Sequence, residues 1–536
     1  MMSPDTPFGI DLGTTHSCIA YLDEAGKPVI AQSAIGEDTT PSVVYFEAAG
    51  KATVGTAARD AALLAPHLVA QLTKRMMGRR KTAGTYHGKE YAPEEISALI
   101  LTELARAARE GTGLTVRDVV ITVPAYFGVA EKEATRRAGE IAGLTVLDVL
   151  AEPVAAALHY QAVTGGEGTR HALVCDLGGG TYDTTVIRIE GDDIRVVCTD
   201  GDAALGGADF DARVRDHLLA VFAEQHPRLD PTADEPFMQD LQTTAEQLKK
   251  ELSRAQSRRT DLRFAGAVAR VELTREKLEE LTADLLDRMV EITARTVELA
   301  RRKGIDRFDE VLLVGGMSKM PAVSARITDR LGLHPRHHEP DLAVAKGAAL
   351  FALLNRARSG PAEDVADRLN LPPEEVRSLA AKKVTTVLPR AFGVKAVDPR
   401  DPLAMTNPLA ARKMIAHLLP ANTPLPADSG PYPFGVATDN QRMVEIEVWE
   451  QTSPHESEEL ADNALIGRGL LRNLPPRPAG SPFEVTFFMS ETGKLTVRAE
   501  EPSSGAQVRF DLQIGGMDQA AVAAARAGIA RHTVRG

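Results

Sequence analysis

Twice in this chain an apolar strand runs directly into Asp-Leu-Gly and a hydroxyl-bearing turn. The first copy is "GIDLGTTHSCIA" from Gly9, and the second is "VCDLGGGTYDTTV" from Val174. Glycine lacks a β-carbon and accepts positive φ, so backbone at such a turn can approach an anion closely. Successive N–H groups there form a concavity that suits phosphate, and the threonine hydroxyls add donors. The aspartates stand where they can hold metal-bound water, since Mg²⁺ keeps much of its water shell. Two copies predict duplicated lobes that clamp one nucleotide from opposite sides. A third glycine turn after a buried strand, "LLVGGMSKMP" (312–321), supports the pair over two unrelated hairpins. The chain has no GxxxxGK[ST] and no strand–GxGxxG–helix with a following acid, which excludes a P-loop and leaves a dinucleotide fold unsupported.

Short apolar strands alternate with helical patterns up to about residue 355, as in "DVVITVP", "VAEKEATRRAGEIAG", "TVLDVL" and "EPVAAALHYQAV". The alternation predicts an α/β domain. "HALVCDL" and "DEVLLVGG" are nearly continuous in apolar residues, as expected of sheet buried on both faces. Long helices are expected near 236–254 and 274–303. Residues 359–383 are polar and Pro-bearing, and they read as a connection containing one helix, "PEEVRSLAAKK". Beyond 384 the period changes to two in "MVEIEVWEQ" (443–451), "FEVTFFMS" (483–490), "KLTVRAEE" (494–501) and "QVRFDLQI" (507–514), which predicts an all-β domain. The expected units are 1–357, a connection over 358–386, a β domain over 387–516 and a short helical tail over 517–536. The tail has few large apolar residues to hold it.

Composition narrows the partners. Aromatic residues make up 4% of the 536 residues and the net charge is -12, so neither base stacking nor phosphate-backbone attraction favours nucleic acid. Apolar runs stay short of the ~20 residues that a membrane span needs. The N-terminus enters a strand pattern with no basic and apolar leader, so a cytoplasmic protein without a membrane partner is expected. Cys18, Cys175 and Cys198 sit apart in apolar runs and read as buried free thiols. "HPRHHEPD" (334–341) reads as a loop before a helix rather than as a metal site.

The chain resembles the seventy-kilodalton heat-shock chaperones of the DnaK type, within the actin and sugar-kinase superfamily. The matching stretches are "GIDLGTTHSCIA", "TKRMMGRR", "VITVPAYF", "AEPVAAAL", "DLGGGTYD", "LGGADFD", "LVGGMSKMP" and "PDLAVAKGAAL", in family order across residues 8–352. The β region matches more weakly, through "ANTPLP", "ATDNQ" and "FEVTFFMSETGKLTVRA". The resemblance implies a bilobal actin-like (ribonuclease H-like) ATPase domain, α/β in class, followed by a β-sandwich peptide-binding domain. It implies ATP or ADP with Mg²⁺, and adds K⁺ as a candidate ion. Position by position, Asp11 and Asp183 would hold the Mg²⁺ shell, mainly through water. Gly13, Thr14, Thr15, Gly178, Gly179 and Gly180 would cradle phosphates, with Gly207 beside them. Lys74, Glu152, Asp176 and Thr181 would be the catalytic set. Lys74 would meet the terminal phosphate, and Glu152 and Asp176 would orient the attacking water. Glu246, Lys249, Lys250, Ser253, Gly315, Gly316, Met317, Lys319 and Asp341 would form the nucleoside pocket. Val394, Val397, Phe434, Val444 and Ile446 would line a channel for extended or unfolded polypeptide. Pro124, in "PAYF", would link nucleotide state to the domain surface. A J-domain co-chaperone and a nucleotide exchange factor are the other implied partners.

Departures from the family pattern put coupling in doubt. The segment between "GRR" and "YAPEE" is shortened to "KTAGTYHGKE". The linker reads "KKVTTVLP" in place of an acidic-leucine run. Asp148 stands where similar proteins carry an arginine that helps recruit J-domains, and Lys250 where they carry an adenine-facing arginine. Ala208, Met317 and Lys319 are further replacements, and the helical lid is reduced to about 20 residues. Two rival readings follow: a nucleotide-gated interaction protein for a dedicated partner, and a small-molecule kinase of the same superfamily.

Overall fold

The computed structural model describes every residue except 1–5, 34, 80, 166, 167, 192, 370, 454, 492 and 513–516. The end of the expected strand 507–514 and the expected boundary at 516 therefore lie outside the described residues.

Two six-stranded sheets are built on one plan. In the first, strand Phe8–Asp11 pairs antiparallel with His16–Leu22 and parallel with Asp118–Val123. In the second, strand Thr169–Leu177 pairs antiparallel with Tyr182–Glu190 and parallel with Glu310–Val314. Each Asp-Leu-Gly turn thus joins the antiparallel pair of its own sheet, next to a parallel strand that returns from a helix. Asp118–Val123 is buried along its whole length, which is why its sequence is almost uniformly apolar. The helices Glu152–Thr164 and Ala343–Ala357 pack together between the sheets, with Gly347 lying directly on the backbone of Ala155. Gly9 lies equally close to the backbone at Ala345, Ala348 and Ala349. The three cysteines are free and buried, and burial pushes the thiols of Cys175 and Cys198 up to about 12.

Two helical expectations need correction. The helix expected across 274–303 is two, Arg275–Leu281 and Ala283–Arg302. The break falls at Thr282, which has φ -115 and ψ 12, is fully buried, and donates its hydroxyl to the Leu278 carbonyl at 2.8 Å. A β-branched residue whose hydroxyl competes for a backbone carbonyl weakens the helix locally. The connection over 359–383 holds two helices, Ala362–Leu369 and Pro373–Ala381, closed around Val365, Ala366 and Val376. Its apolar residues pair across a hairpin, a contact that a scan along the chain does not reveal.

Beyond the hairpin, Val384–Thr385 adds a parallel strand to the edge strand Asp193–Asp202 of the second sheet. The β domain follows as a four-stranded sheet packed on a five-stranded sheet around one core that includes Phe392, Val448, Phe487 and Val497. This domain abuts the first lobe through a half-buried charge cluster. Arg390 lies between Glu131 at 2.8 Å and the buried Glu450 at 3.7 Å, with Lys132 half-buried beside them. Burial raises Glu450 to about 7 despite the opposing pull of Arg390.

Two outcomes are expected. Gly347→Ala forces a β-carbon into the Ala155 backbone, so urea denaturation should show a loss of ~3 kcal/mol, at the upper end of overpacking costs. Glu450 has a folded pKa above its ordinary 4.5, so the unfolded chain gives up this proton first. Its ionisation therefore costs stability progressively from pH 4.5 to about 7. Glu450→Gln should melt like wild type near pH 4.5 and increasingly above it as the pH approaches 8.

Candidate functional site

The two Asp-Leu-Gly turns face each other across the cleft between the sheets. A β-carbon at Gly179 would collide with the Thr15 side chain, and one at Gly180 with Thr14. Glycine is required at both positions because the turns touch. The first turn is braced from below: the Gly13 N–H donates to Ser17 Oγ at 3.1 Å, and Ser42 Oγ donates to the Gly13 carbonyl at 2.8 Å. The second is closed by Gly178 N–H to Thr181 O at 3.1 Å and Gly207 N–H to Gly178 O at 3.0 Å. Thr181 is buried at the end of this turn.

Beneath the turns lies a group of largely buried charges. Lys74 Nζ donates to Glu152 Oε1 at 2.5 Å, and both side chains are buried. Asp11, at the end of the first strand, is raised to about 7 by burial and by Glu152, against the pull of Lys74 and a hydrogen bond from Thr122. Burial, Glu152 and Asp11 raise Asp176, and burial, Glu152 and Asp176 raise Asp183. Asp183 Oδ1 accepts from the Tyr126 N–H at 3.1 Å, while its buried Oδ2 has no hydrogen-bond partner among the described residues. Four carboxylates thus share one ammonium group. The fold brings together Asp11, Lys74, Glu152, Asp176 and Asp183 from four separate stretches of sequence, the last two residues sharing one glycine turn.

The residues expected to form a nucleoside pocket are placed as follows. Lys250 pairs with Glu246 at 2.5 Å, in an arrangement half open to solvent. Lys249 is buried and engaged, at 2.7 Å from Asp211 and 3.0 Å from the Gly207 carbonyl, so it anchors helix Glu235–Leu252 to the second turn. Ser253 Oγ donates to the Lys249 carbonyl at 3.4 Å. Gly315, at φ +81, donates its N–H to Pro340 O at 2.8 Å, which sets Asp341 beside Gly316. Lys319 pairs with Asp341, and Met317 is buried. Two of the three histidines of the "HPRHHEPD" loop are taken up structurally: His337 contacts Ser318 O and His338 contacts His159, each at 3.0 Å.

Sequence reasoning missed three residues. Arg75 donates to the Gly180 carbonyl at 2.9 and 2.6 Å and pairs with Asp209, so it pins the second turn from the first lobe. It sits next to Lys74 in "TKRMMGRR", which was the available signal. Ser42 comes from a loop whose sequence carries no motif. His16, lowered to about 4 by burial and by Lys250, faces Glu246 and Asp341 as well, and so lies among the nucleoside-side charges. In the β domain, Val394 and Ile446 are buried in the sandwich core, while Val397, Phe434 and Val444 are half-buried at its margin. Asp148 lines a cavity of about 760 Å³ between the domains, where burial raises its pKa.

A family model described as Hsp70 protein matches residues 7–85, 81–367 and 370–524. The chain belongs to the Hsp70 family. Members are chaperone-type ATPases that bind ATP or ADP with Mg²⁺, and generally bind extended polypeptides and co-chaperones. The mixed α/β region followed by a β domain agrees with that membership. Among the described residues no helix is long and apolar enough to cross a membrane. The residues present fit a divalent cation: excess buried carboxylate, an Asp183 oxygen unpartnered among the described residues and a proton held on Asp11 near neutrality are relieved by added positive charge.

Lys74→Ala is expected to leave ATP affinity nearly intact in calorimetry and to slow hydrolysis by ~100-fold or more, as loss of transition-state charge stabilisation does. An unchanged rate would remove Lys74 from the reaction.

Proposed function

We propose that the chain is a slow ATPase of actin-like bilobal form, using ATP to regulate the binding of extended polypeptide by a β-sandwich domain. The observation that carries the reading is the buried set Lys74, Glu152, Asp176 and Asp183, with the partly buried Asp11, beneath two touching glycine turns. Phosphoryl transfer depends mainly on positioning and on neutralising charge. The hydroxyls of Thr14, Thr15 and Thr181 bind the phosphates, together with turn N–H groups other than those of Gly13, Gly178 and Gly207, which brace the turns themselves. Glu152 holds Lys74 in place, so that its ammonium meets the terminal phosphate. Asp176, whose burial raises its affinity for protons, orients the attacking water with Glu152 and accepts its proton. Asp11 and Asp183 would hold Mg²⁺, which would supply neutralisation of phosphate charge. The lobe-bridging Arg75 keeps the second turn in register while this happens.

The nucleoside is held by Glu246, Lys250, Ser253, Gly316 and Asp341, with Lys249 acting from behind as an anchor. In the β domain, Val397, Phe434 and Val444 at the sandwich margin receive an apolar side chain of the polypeptide, whose main chain adds hydrogen bonds. One observation favours a second reading, a nucleotide-gated protein with a dedicated partner. Val394 and Ile446, two of the five channel positions, are 4% and 3% exposed, which leaves little room for varied clients.

Titration calorimetry with Mg²⁺ and ATP tests the first step, and absent binding at high micromolar concentrations would sink the ATPase reading. Lys250→Arg is expected to tighten ATP, because a guanidinium plane stacks where an ammonium does not. An unchanged dissociation constant would end the stacking argument. A generic J-domain is expected to leave turnover unchanged, because Asp148 presents negative charge where similar proteins present an arginine. Strong stimulation would point to ordinary family coupling.

A further inference from the structure

The C-terminal tail does not hang from the β domain. Helix Gln519–Ile529 starts at Asp518, whose carboxylate accepts from the Ala521 N–H at 2.8 Å. It packs on helices Val129–Ile141 and Pro93–Thr112 of the first lobe. Ala525 and Ile529 are buried in that lobe's core, and Met517, Val522 and Val534 pack against it. Small residues suffice because they let the helix axis approach closely. At the helix end, His532 Nδ1 faces the Gly528 carbonyl at 2.9 Å, so it carries the proton. His532 Nε2 is then free to accept from Tyr91 Oη at 3.0 Å. The chain next extends as strand Thr533–Arg535, which pairs parallel with Lys51–Val54 at the edge of a first-lobe sheet. The Thr533 N–H adds a bond to Gly50 O at 3.0 Å.

The β domain is therefore tied at both ends, and to different lobes. Its leading end is the strand Val384–Thr385 on the second-lobe sheet, reinforced by Ile194 N–H to Lys383 O at 2.8 Å. Its trailing end is the strand Thr533–Arg535 on a first-lobe sheet. Between these anchors, Arg390 bridges Glu131 and Glu450, and Asn422 Oδ1 accepts from the Thr199 N–H at 2.8 Å. A domain on one tether swings away when its interface opens. A second tether keeps the opened faces at high effective concentration, so they close again.

We infer that residues 517–536 are a strap that keeps the β domain docked on the ATPase lobes in every nucleotide state. A ligand shifts a conformational equilibrium only by its differential affinity for the two states, and the strap raises the difference ATP or ADP must supply. Nucleotide then acts on the β domain through small movements at a persistent interface, not through release. The nucleotide arms of the test rest on the ATPase reading, whereas the strap itself does not.

Hydrogen exchange on the full chain, without nucleotide and with Mg²⁺-ADP or Mg²⁺-ATP, reads protection over 382–391 and 533–535. In wild type, both segments are expected to stay protected, within ~3-fold, in all three states. In Val534→Pro, which disrupts the strand pairing, and in Ile529→Asp, which expels the helix, protection over 382–391 is expected to fall by ~10-fold or more in ADP and without nucleotide. Wild type losing protection over 382–391 in ADP while 533–535 stays protected would overturn the strap. So would variants that match wild type in every state. The wild-type arm needs no variant, so a misfolded variant does not remove the test. If calorimetry finds no nucleotide binding, the ATPase reading fails, and the nucleotide-free comparison still decides the strap.

Discussion

Four carboxylates gathered around one ammonium group, three of them buried and Asp11 partly so, set the terms for the rest of this molecule. Removing charge from water is expensive unless it is paired, and Lys74 can pair fully with only one partner, Glu152. Asp11, Asp176 and Asp183 are left raised above the ordinary carboxylate range, and Asp183 keeps an oxygen without a hydrogen bond among the described residues. Such a cluster persists only where the surrounding fold over-determines it. It also has an evident use, because added cationic charge relieves it.

What over-determines the cluster is the doubled sheet plan. Each lobe places an aspartate at the end of a strand held between an antiparallel and a parallel neighbour. The helices between the lobes approach closely enough for Gly9 and Gly347 to touch backbone, so the lobes meet through main chain. Arg75 adds a lobe-to-lobe pin at Gly180 and Asp209, and Lys249 secures the helix behind the second turn. These contacts are polar and directional, so a small rotation of the lobes breaks several of them together. The geometry of the cleft is accordingly coupled to the relative placement of the lobes.

The β domain extends the same coupling outward. Strand addition at Val384–Thr385 and at Thr533–Arg535 makes it a brace across both lobes, with the half-buried Arg390 cluster beneath it. The family pattern explains the cleft well and the brace less well. Asp148 and the "KKVTTVLP" linker both depart from that pattern, and both line the cavity between the domains. Family membership therefore carries over most directly to the nucleotide chemistry.

The sequence by itself determined the two Asp-Leu-Gly turns, the strands beside them, the α/β-to-β change near 384 and the identity of the buried charges. Each is a local matter: a turn needs glycine, a strand buried on both faces needs continuous apolar residues, and an exposed face restores the period of two. The tertiary structure decided the rest. The break at Thr282 depends on burying a hydroxyl, and the hairpin at 362–381 depends on side chains meeting across a bend. Arg75 and His16 became site residues only when the opposite lobe supplied Gly180, Glu246 and Asp341. The tail, rich in alanine and weak in apolar signal, found its place because the edge strand at Lys51–Val54 and the groove between two first-lobe helices were there to receive it. No local pattern encodes that pairing, because its two halves lie at opposite ends of the chain and gain stability only from each other.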